Sequence, residues 1–258
     1  MERRADAAPR LRTIPSIDTV ALTRRKVAPM VRGLFPRAEQ DPVLAVLEKS
    51  VVFLTRENIG RLLRDSHWLH SSWVLANLFL VSIGADVLGD DAPRLVGLSE
   101  ETTCYVSAEY FEDDDPETTC YVSAEYFEDD DPFADFLVHE VAHIFHNCKR
   151  GTVGLKETRR RQWLLDIEYR KRELFAYSCE AFSRIVERAR SPKERLALGA
   201  EYRRDPGISE HHVDLNQLGA IVEEASGARN GWKLIHARCA PARVVRRRTG
   251  AASTVAPE

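Results

Sequence analysis

Apolar positions in this chain recur mostly at helical intervals, and in a few short stretches the pattern shortens to that of strands. Pro42 to Lys49, Asn58 to Arg64 and His70 to Leu88 read as helices. Val51-Val52-Phe53-Leu54 is continuously apolar and too short for a helix. It reads as a buried strand, with Thr55 as N-cap of the helix after it. A break at Gly89 to Pro93 leads into Leu95-Val96-Gly97-Leu98 and a segment of β-favouring residues. The run from Phe136 to Phe145 is apolar almost all round, which predicts a buried helix. Gly151 to Gly154 predicts a turn, and helices are expected over Glu157 to Arg190, Pro192 to Tyr202 and Val213 to Ala225. The pattern as a whole predicts one α+β domain, mostly helical, with a small sheet whose edge strand borders the buried helix.

The β-favouring segment is doubled. Glu101 to Pro116 recurs without a change as Glu117 to Pro132. Two copies of sixteen residues are too few for a solenoid, which needs three or more units to bury a shared core. Each copy carries Thr-Cys-Tyr-Val-Ser-Ala-Glu-Tyr-Phe and then an acidic turn ending in proline. One strand position lies beside the buried helix, so one copy is expected to be spare.

Composition narrows the class without naming a partner. At 258 residues, 44% hydrophobic and 30% charged, the chain can bury one sizeable core, placed at residues 38–240. The net charge of −3 gives no overall pull toward nucleic acid. Both ends are locally basic, with Arg3, Arg4, Arg10, Arg12, Arg24, Arg25, Lys26, Arg32 and Arg37 near the start and Arg243, Arg246, Arg247 and Arg248 in the tail. A nucleic-acid contact is conceivable there, but residues 1–37 as a flexible basic arm and 241–258 as a disordered tail is the simpler expectation. The most hydrophobic stretch, Trp73 to Leu88, contains Asn77, Ser82 and Asp86 and falls short of the ~20 apolar residues of a membrane span. The start lacks the apolar core of a secretory signal. Five cysteines (Cys104, Cys120, Cys148, Cys179 and Cys239) without a C-x-x-C spacing fit a reducing, cytoplasmic setting.

Within the buried helix stands His139-Glu140-Val141-Ala142-His143. Two histidines four residues apart project from one helical face at the spacing a single Zn²⁺ needs, and Glu140 is placed to act as a general base. A carboxylate and two imidazoles inside an apolar helix are costly unless compensated, and a dication compensates them. Catalytic zinc takes three protein ligands and leaves a fourth position open. Glu173 and Glu180, seven residues apart on one face of the next long helix, are the candidates for the third. Glu173 is preferred, because Ala176 one turn later is small enough for close helix packing. Glu180 is the alternative, although it is also spaced for an ion pair with Arg184. His146 lies about 10.5 Å along the axis from His139 at 1.5 Å per residue, so it is expected behind the ligands or in solvent.

His139-Glu140-x-x-His143, followed thirty residues later by Glu173-x-x-Ala176, resembles the glutamate-zincin metallopeptidases and most of all their ImmA/IrrE-type group. The resemblance covers Phe133 to Val186. It implies a zincin-like domain, His139, His143 and Glu173 as zinc ligands, Glu140 as general base, and a cytoplasmic regulatory protease acting on a protein or peptide. Tyr177 stands where that group carries Asn or Asp. The expected chemistry is metal-assisted hydrolysis of a peptide bond, with Tyr177, His146, Tyr105, Tyr110, Tyr121 and Tyr126 as candidate donors to the developing oxyanion. Two other classes compete. One is a non-catalytic zinc-binding structural or sensory protein whose fourth ligand is Cys148 or Cys179; the other is a metal-free module that binds through the basic arm. Glu140 argues against a purely structural zinc, which has no use for an extra carboxylate beside its ligands.

Overall fold

Val27, Met30, Val31 and Leu34 recur at helical spacing, and all four are buried. They belong to α1 (Thr19–Leu34), which Asp18 caps by accepting the Ala21 N–H at 2.9 Å. This corrects the expected N-terminal arm of residues 1–37 from Thr19 onward. The basic residues Arg24, Arg25 and Arg32 occupy the exposed face of the helix, and its apolar face belongs to the main core. The computed structural model describes residues 18–54, 57–65, 69–82, 85–89, 97–99, 120–122, 132–159, 161–208 and 213–242; the first seventeen residues and the tail from 243 onward lie outside these.

The chain continues through α2 (Arg37–Ser50), β1 (Val51–Phe53), α3 (Ile59–Asp65), α4 (Leu69–Ser82), β2 (Gly97–Ser99) and β3 (Cys120–Val122). It closes with α5 (Phe136–Asn147), α6 (Arg172–Arg188), α7 (Pro192–Arg204), α8 (Leu215–Gly227) and α9 (Gly231–Cys239), so the described protein is mostly helical, as expected. The strands lie in the order β1-β3-β2, with β1 parallel and β2 antiparallel to β3. β2 is an edge strand, and β2 and β3 both pack against α5. The second copy of the duplicated segment supplies β3. The first copy, residues 101–116, lies outside the described residues, as do Thr55, Tyr105, Tyr110 and Tyr126.

Two helices are shorter than their apolar patterns. α4 stops at Ser82 because the following segment folds back on it: the Leu88 N–H donates to Asn77 Oδ1 at 2.6 Å and Trp73 Nε1 donates to the Leu88 carbonyl at 3.0 Å. α6 begins at Arg172 and not at Glu157, because the intervening backbone caps α5. Leu165 N–H donates to the Phe145 carbonyl at 2.8 Å and Leu164 N–H to the Cys148 carbonyl at 2.9 Å. Backbone groups at a helix end need partners, and this segment supplies them at the cost of its own helix. The turn expected at Gly151 to Gly154 is present, with Gly154 at φ 70°, a left-handed conformation that glycine adopts freely. The C-terminal helix α9, which the apolar pattern did not predict, ends at Cys239 and packs on α8, α6 and α1.

The core runs unbroken from Leu22 in α1 to Cys239 in α9 and carries α5 and α6 at its centre, so the domain begins with α1 and not at residue 38. A smaller cluster of Leu54, Leu75 and Leu78 holds α4 to the strand and α3. α5 is the most enclosed element: every residue from Leu137 to His146 is buried, and Phe145 meets Phe35 edge-on at 5.2 Å. Burying one such phenylalanine contributes about 1.5–3 kcal/mol. Among the described residues no helix is long and apolar enough to cross a membrane.

Candidate metal centre

α5 begins where Asp135 stops the preceding extended chain. Its Oδ1 accepts the Val138 N–H at 3.3 Å, capping the helix just before the apolar run. From there the 3.6-residue period sets His139 and His143 on one face, with His139, Glu140 and His143 each less than a tenth exposed. α6 packs against α5, and Ala176 is wholly buried, the close approach its small side chain permits. Glu173 sits in the first turn of α6, where the helix dipole favours an anion, and its side chain is 49% exposed.

Three atoms converge. His139 Nε2 and His143 Nε2 stand 3.2 Å apart, and Glu173 Oε2 lies 3.7 Å from the first and 3.6 Å from the second. A circle through these atoms has a radius of about 2.0 Å, which matches the roughly 2.0–2.2 Å of zinc bonds to imidazole nitrogen and carboxylate oxygen. His139, His143 and Glu173 form the group that can hold a metal ion among the described residues.

The outer faces of both imidazoles are engaged, and this sets what the inner faces offer. His139 Nδ1 lies 3.0 Å from Glu180 Oε2, a pure acceptor when ionised, so Nδ1 carries a proton. His143 Nδ1 lies 3.0 Å from His146 Nε2, and His146 Nδ1 lies 2.9 Å from Asn147 Oδ1. With the amide oxygen accepting, His146 carries its proton on Nδ1, leaves Nε2 as an acceptor, and draws the His143 proton to Nδ1; these tautomers are assigned by the hydrogen-bond network. Both Nε2 lone pairs and a carboxylate oxygen then meet in one place. Three acceptors with no donor among them require a positive charge.

The protonation of the ion-free cluster agrees. Burial alone would lower the pKa of His139, but the carboxylates of Glu173 and Glu180 outweigh it and hold it well above 6.5. Burial alone would raise Glu173; hydrogen bonds and charge from His139 and His143 pull it below the usual carboxylate range instead. His146 moves the other way, down to about 3, through burial and the nearby charges of His143 and Arg172, so it stays neutral and fixed as a partner of His143. The carboxylates that favour a protonated His139 favour a divalent cation more, since it brings two positive charges to the same acceptors where a proton brings one.

Placement of the expected residues is therefore mixed. The structure brings together His139, His143 and Glu173. It puts His146 behind His143 and buried, and Tyr177 edge-on against the His139 ring at 4.5 Å. Glu180 lies outside this group and holds His139 from behind, and its carboxylate also accepts the Asp135 N–H at 2.8 Å; Arg184, the expected partner of Glu180, bonds Glu187 at 2.7 Å. The cysteines that would close a structural site stand elsewhere: Cys148 Sγ donates to the Lys149 carbonyl, and Cys179 is buried within electrostatic reach of Cys239. Sequence reasoning missed Asp135, Asn147 and Lys26. Asp135 carried a signal, an aspartate just before an apolar helical run, whereas Asn147 and Lys26 carried none. No protein-family model, curated protein or solved structure matches this sequence.

Proposed function

We propose that this chain is a zinc-dependent metallopeptidase that hydrolyses a peptide bond in a protein or peptide substrate. The observation that carries the reading is the convergence of two Nε2 lone pairs and a half-exposed carboxylate on one point, with Glu140 on the same buried helix as the two histidines. His139, His143 and Glu173 would hold the ion, and the exposed side of Glu173 leaves an approach from solvent. A bound zinc supplies Lewis acidity, lowering the pKa of water and polarising a carbonyl.

The remaining work falls to the chain. Glu140 takes a proton from the water that attacks the scissile carbonyl carbon; the C–N bond breaks, and the same carboxyl returns the proton to the leaving nitrogen. Tyr177, fixed against His139, is the described side chain best placed to donate to the oxygen on which charge develops. Glu180 and His146 keep the two imidazoles turned with their lone pairs inward. The three-ligand set, free of cysteine among the described residues, favours this reading over a closed structural zinc. The glutamate-zincin likeness of the motif, and with it a zincin-like domain and an intracellular regulatory role, belongs to the same proposal.

Glu140→Gln tests it. The variant is expected to retain about one zinc per chain while losing at least the ~100-fold that a general base contributes. His139→Ala and His143→Ala are expected to lose the metal. Wild-type protein that binds zinc but cleaves nothing in an unbiased peptide library overturns the catalytic reading in favour of a non-catalytic zinc protein.

A further inference from the structure

We propose that Lys26 and Glu180 are positioning residues for the metal centre, forming with Asp135 a buried chain that fixes the His139 ring from outside the ligand set. The proposal rests on the metal reading above and adds residues that no ligand motif contains. It begins on α1. Lys26 Nζ donates to Asp135 Oδ2 at 3.3 Å and to Glu187 Oε2 at 2.8 Å, with the lysine side chain 11% exposed and that of Asp135 fully enclosed. Asp135 caps α5, and its own N–H donates to Glu180 Oε1 at 2.8 Å. The other oxygen of Glu180 accepts from His139 Nδ1 at 3.0 Å. Four residues from α1, the α5 N-terminus, α6 and α5 are thereby joined in one line ending on a ligand.

The chemistry at Glu180 admits a carboxylate and nothing else of its shape. One oxygen accepts from a backbone N–H and the other from an imidazole N–H, so both ends must be acceptors. A glutamine has one acceptor and one donor. With its oxygen toward Asp135, its NH₂ faces His139 Nδ1 and draws the opposite tautomer, which aims an N–H at the metal position. Turned the other way, its NH₂ meets the Asp135 N–H donor to donor. The first orientation keeps both contacts but disables the ligand, and the second breaks the link to Asp135. Lys26 supplies the positive charge beside the fully enclosed Asp135 carboxylate, whose own backbone N–H holds Glu180. Removing it loosens the cap that aims the first turn of α5.

The test measures metal affinity in the full-length chain, by competition with a chromophoric chelator for Zn²⁺, and follows the visible bands of Co²⁺ in the same variants. Glu180→Gln is expected to weaken zinc at least tenfold and as much as 100-fold, the range for loss of a ligand's outer partner, and to alter the Co²⁺ spectrum. Lys26→Met is expected to weaken it at least tenfold. Glu187→Gln weakens contacts outside the chain to His139, those of Glu187 with Lys26 and Arg184, and is expected to leave affinity within twofold. Arg195→Met serves as a stability control, because Arg195 ties α7 to the end of α8 through the Ser226 carbonyl at 2.7 Å, far along the chain from the site. It is expected to lower thermal stability without changing affinity. If Glu180→Gln and Lys26→Met bind zinc as the wild type does, or if Arg195→Met weakens zinc equally, the positioning role is wrong while the metal reading stands. A wild type that binds no zinc overturns the metal reading itself and this proposal with it.

Discussion

A methyl group added at Gly33 decides whether the N-terminal helix is part of the core or an appendage to it. An ideal Cβ at Gly33 would lie 2.2 Å from Cδ1, 2.6 Å from Cγ and 2.7 Å from Cβ of Trp232, atoms of a nearly buried indole that also meets the Phe182 ring at 4.9 Å. Nothing at the contact is a flexible chain end, so α1 and α9 must separate or the indole must leave its rotamer. Overpacking of this kind costs about 1–3 kcal/mol. Against it stands the gain from replacing a helical glycine with alanine, about 0.5–1 kcal/mol. The net expectation for Gly33→Ala is a loss of up to about 2.5 kcal/mol, or a fall of up to about 10 °C in Tm at roughly 2–4 °C per kcal/mol for a chain near this size. Gly60→Ala in α3 is the matched comparison, since its nearest neighbour is the end of Arg64 at 3.7 Å, and there alanine is expected to stabilise. Thermal and urea unfolding of both variants gives the answer. If Gly33→Ala stabilises the protein as Gly60→Ala does, α1 does not dock on α9 and its place in the core is refuted.

Three further outcomes are expected. Deleting Glu101 to Pro116 leaves four residues, Glu100 and Glu117 to Thr119, between the paired Ser99 and Cys120, a hairpin connection of ordinary length; soluble yield, zinc content and circular dichroism should match the full chain, and loss of soluble protein means both copies are needed. Burial lowers the pKa of His236 against a smaller opposing contribution from Asp166, and its Nε2 has no hydrogen-bond partner, so the folded state favours the neutral ring. The unfolded chain then binds more protons below about pH 6.5, stability falls as pH drops through that value, and His236→Leu should narrow the difference in Tm between pH 7.5 and pH 5.5; equal slopes in both proteins reject the assignment. Burial also pushes the Cys239 thiol up to about 12 and that of Cys179 well above its ordinary value, so peptide mapping after iodoacetamide at pH 8 should find both unlabelled in native protein and labelled after unfolding.

The centre of the site was legible because its constraints are local. His139, Glu140 and His143 share about one turn of a helix whose apolar flanks announce its burial, and the size of Ala176 ranks Glu173 above Glu180. What Glu180 does was not legible, because its role depends on the Asp135 N–H, 45 positions away in sequence. α1 was overlooked for another reason. Its charges are dense enough to read as a solvated arm when counted by composition, whereas the spacing of Val27, Met30, Val31 and Leu34 marks a buried face only when read by period. Periodicity puts the start of α6 fifteen residues too early, because it says nothing about backbone donors claimed by the end of α5.

The docking of α9 on α1 joins parts of the chain made far apart in time. Asn230 Nδ2 donates to the Gly33 carbonyl at 3.0 Å across 197 positions. At synthesis rates of about 5–20 residues per second, α1 emerges roughly 10–40 seconds before the segment that covers its face at Gly33 exists. During that interval α2 can pair with it as a helical hairpin, while the side destined for Trp232 waits for its partner. The nascent chain therefore carries an apolar strip at Gly33 that only late synthesis can close, so this part of the core completes last.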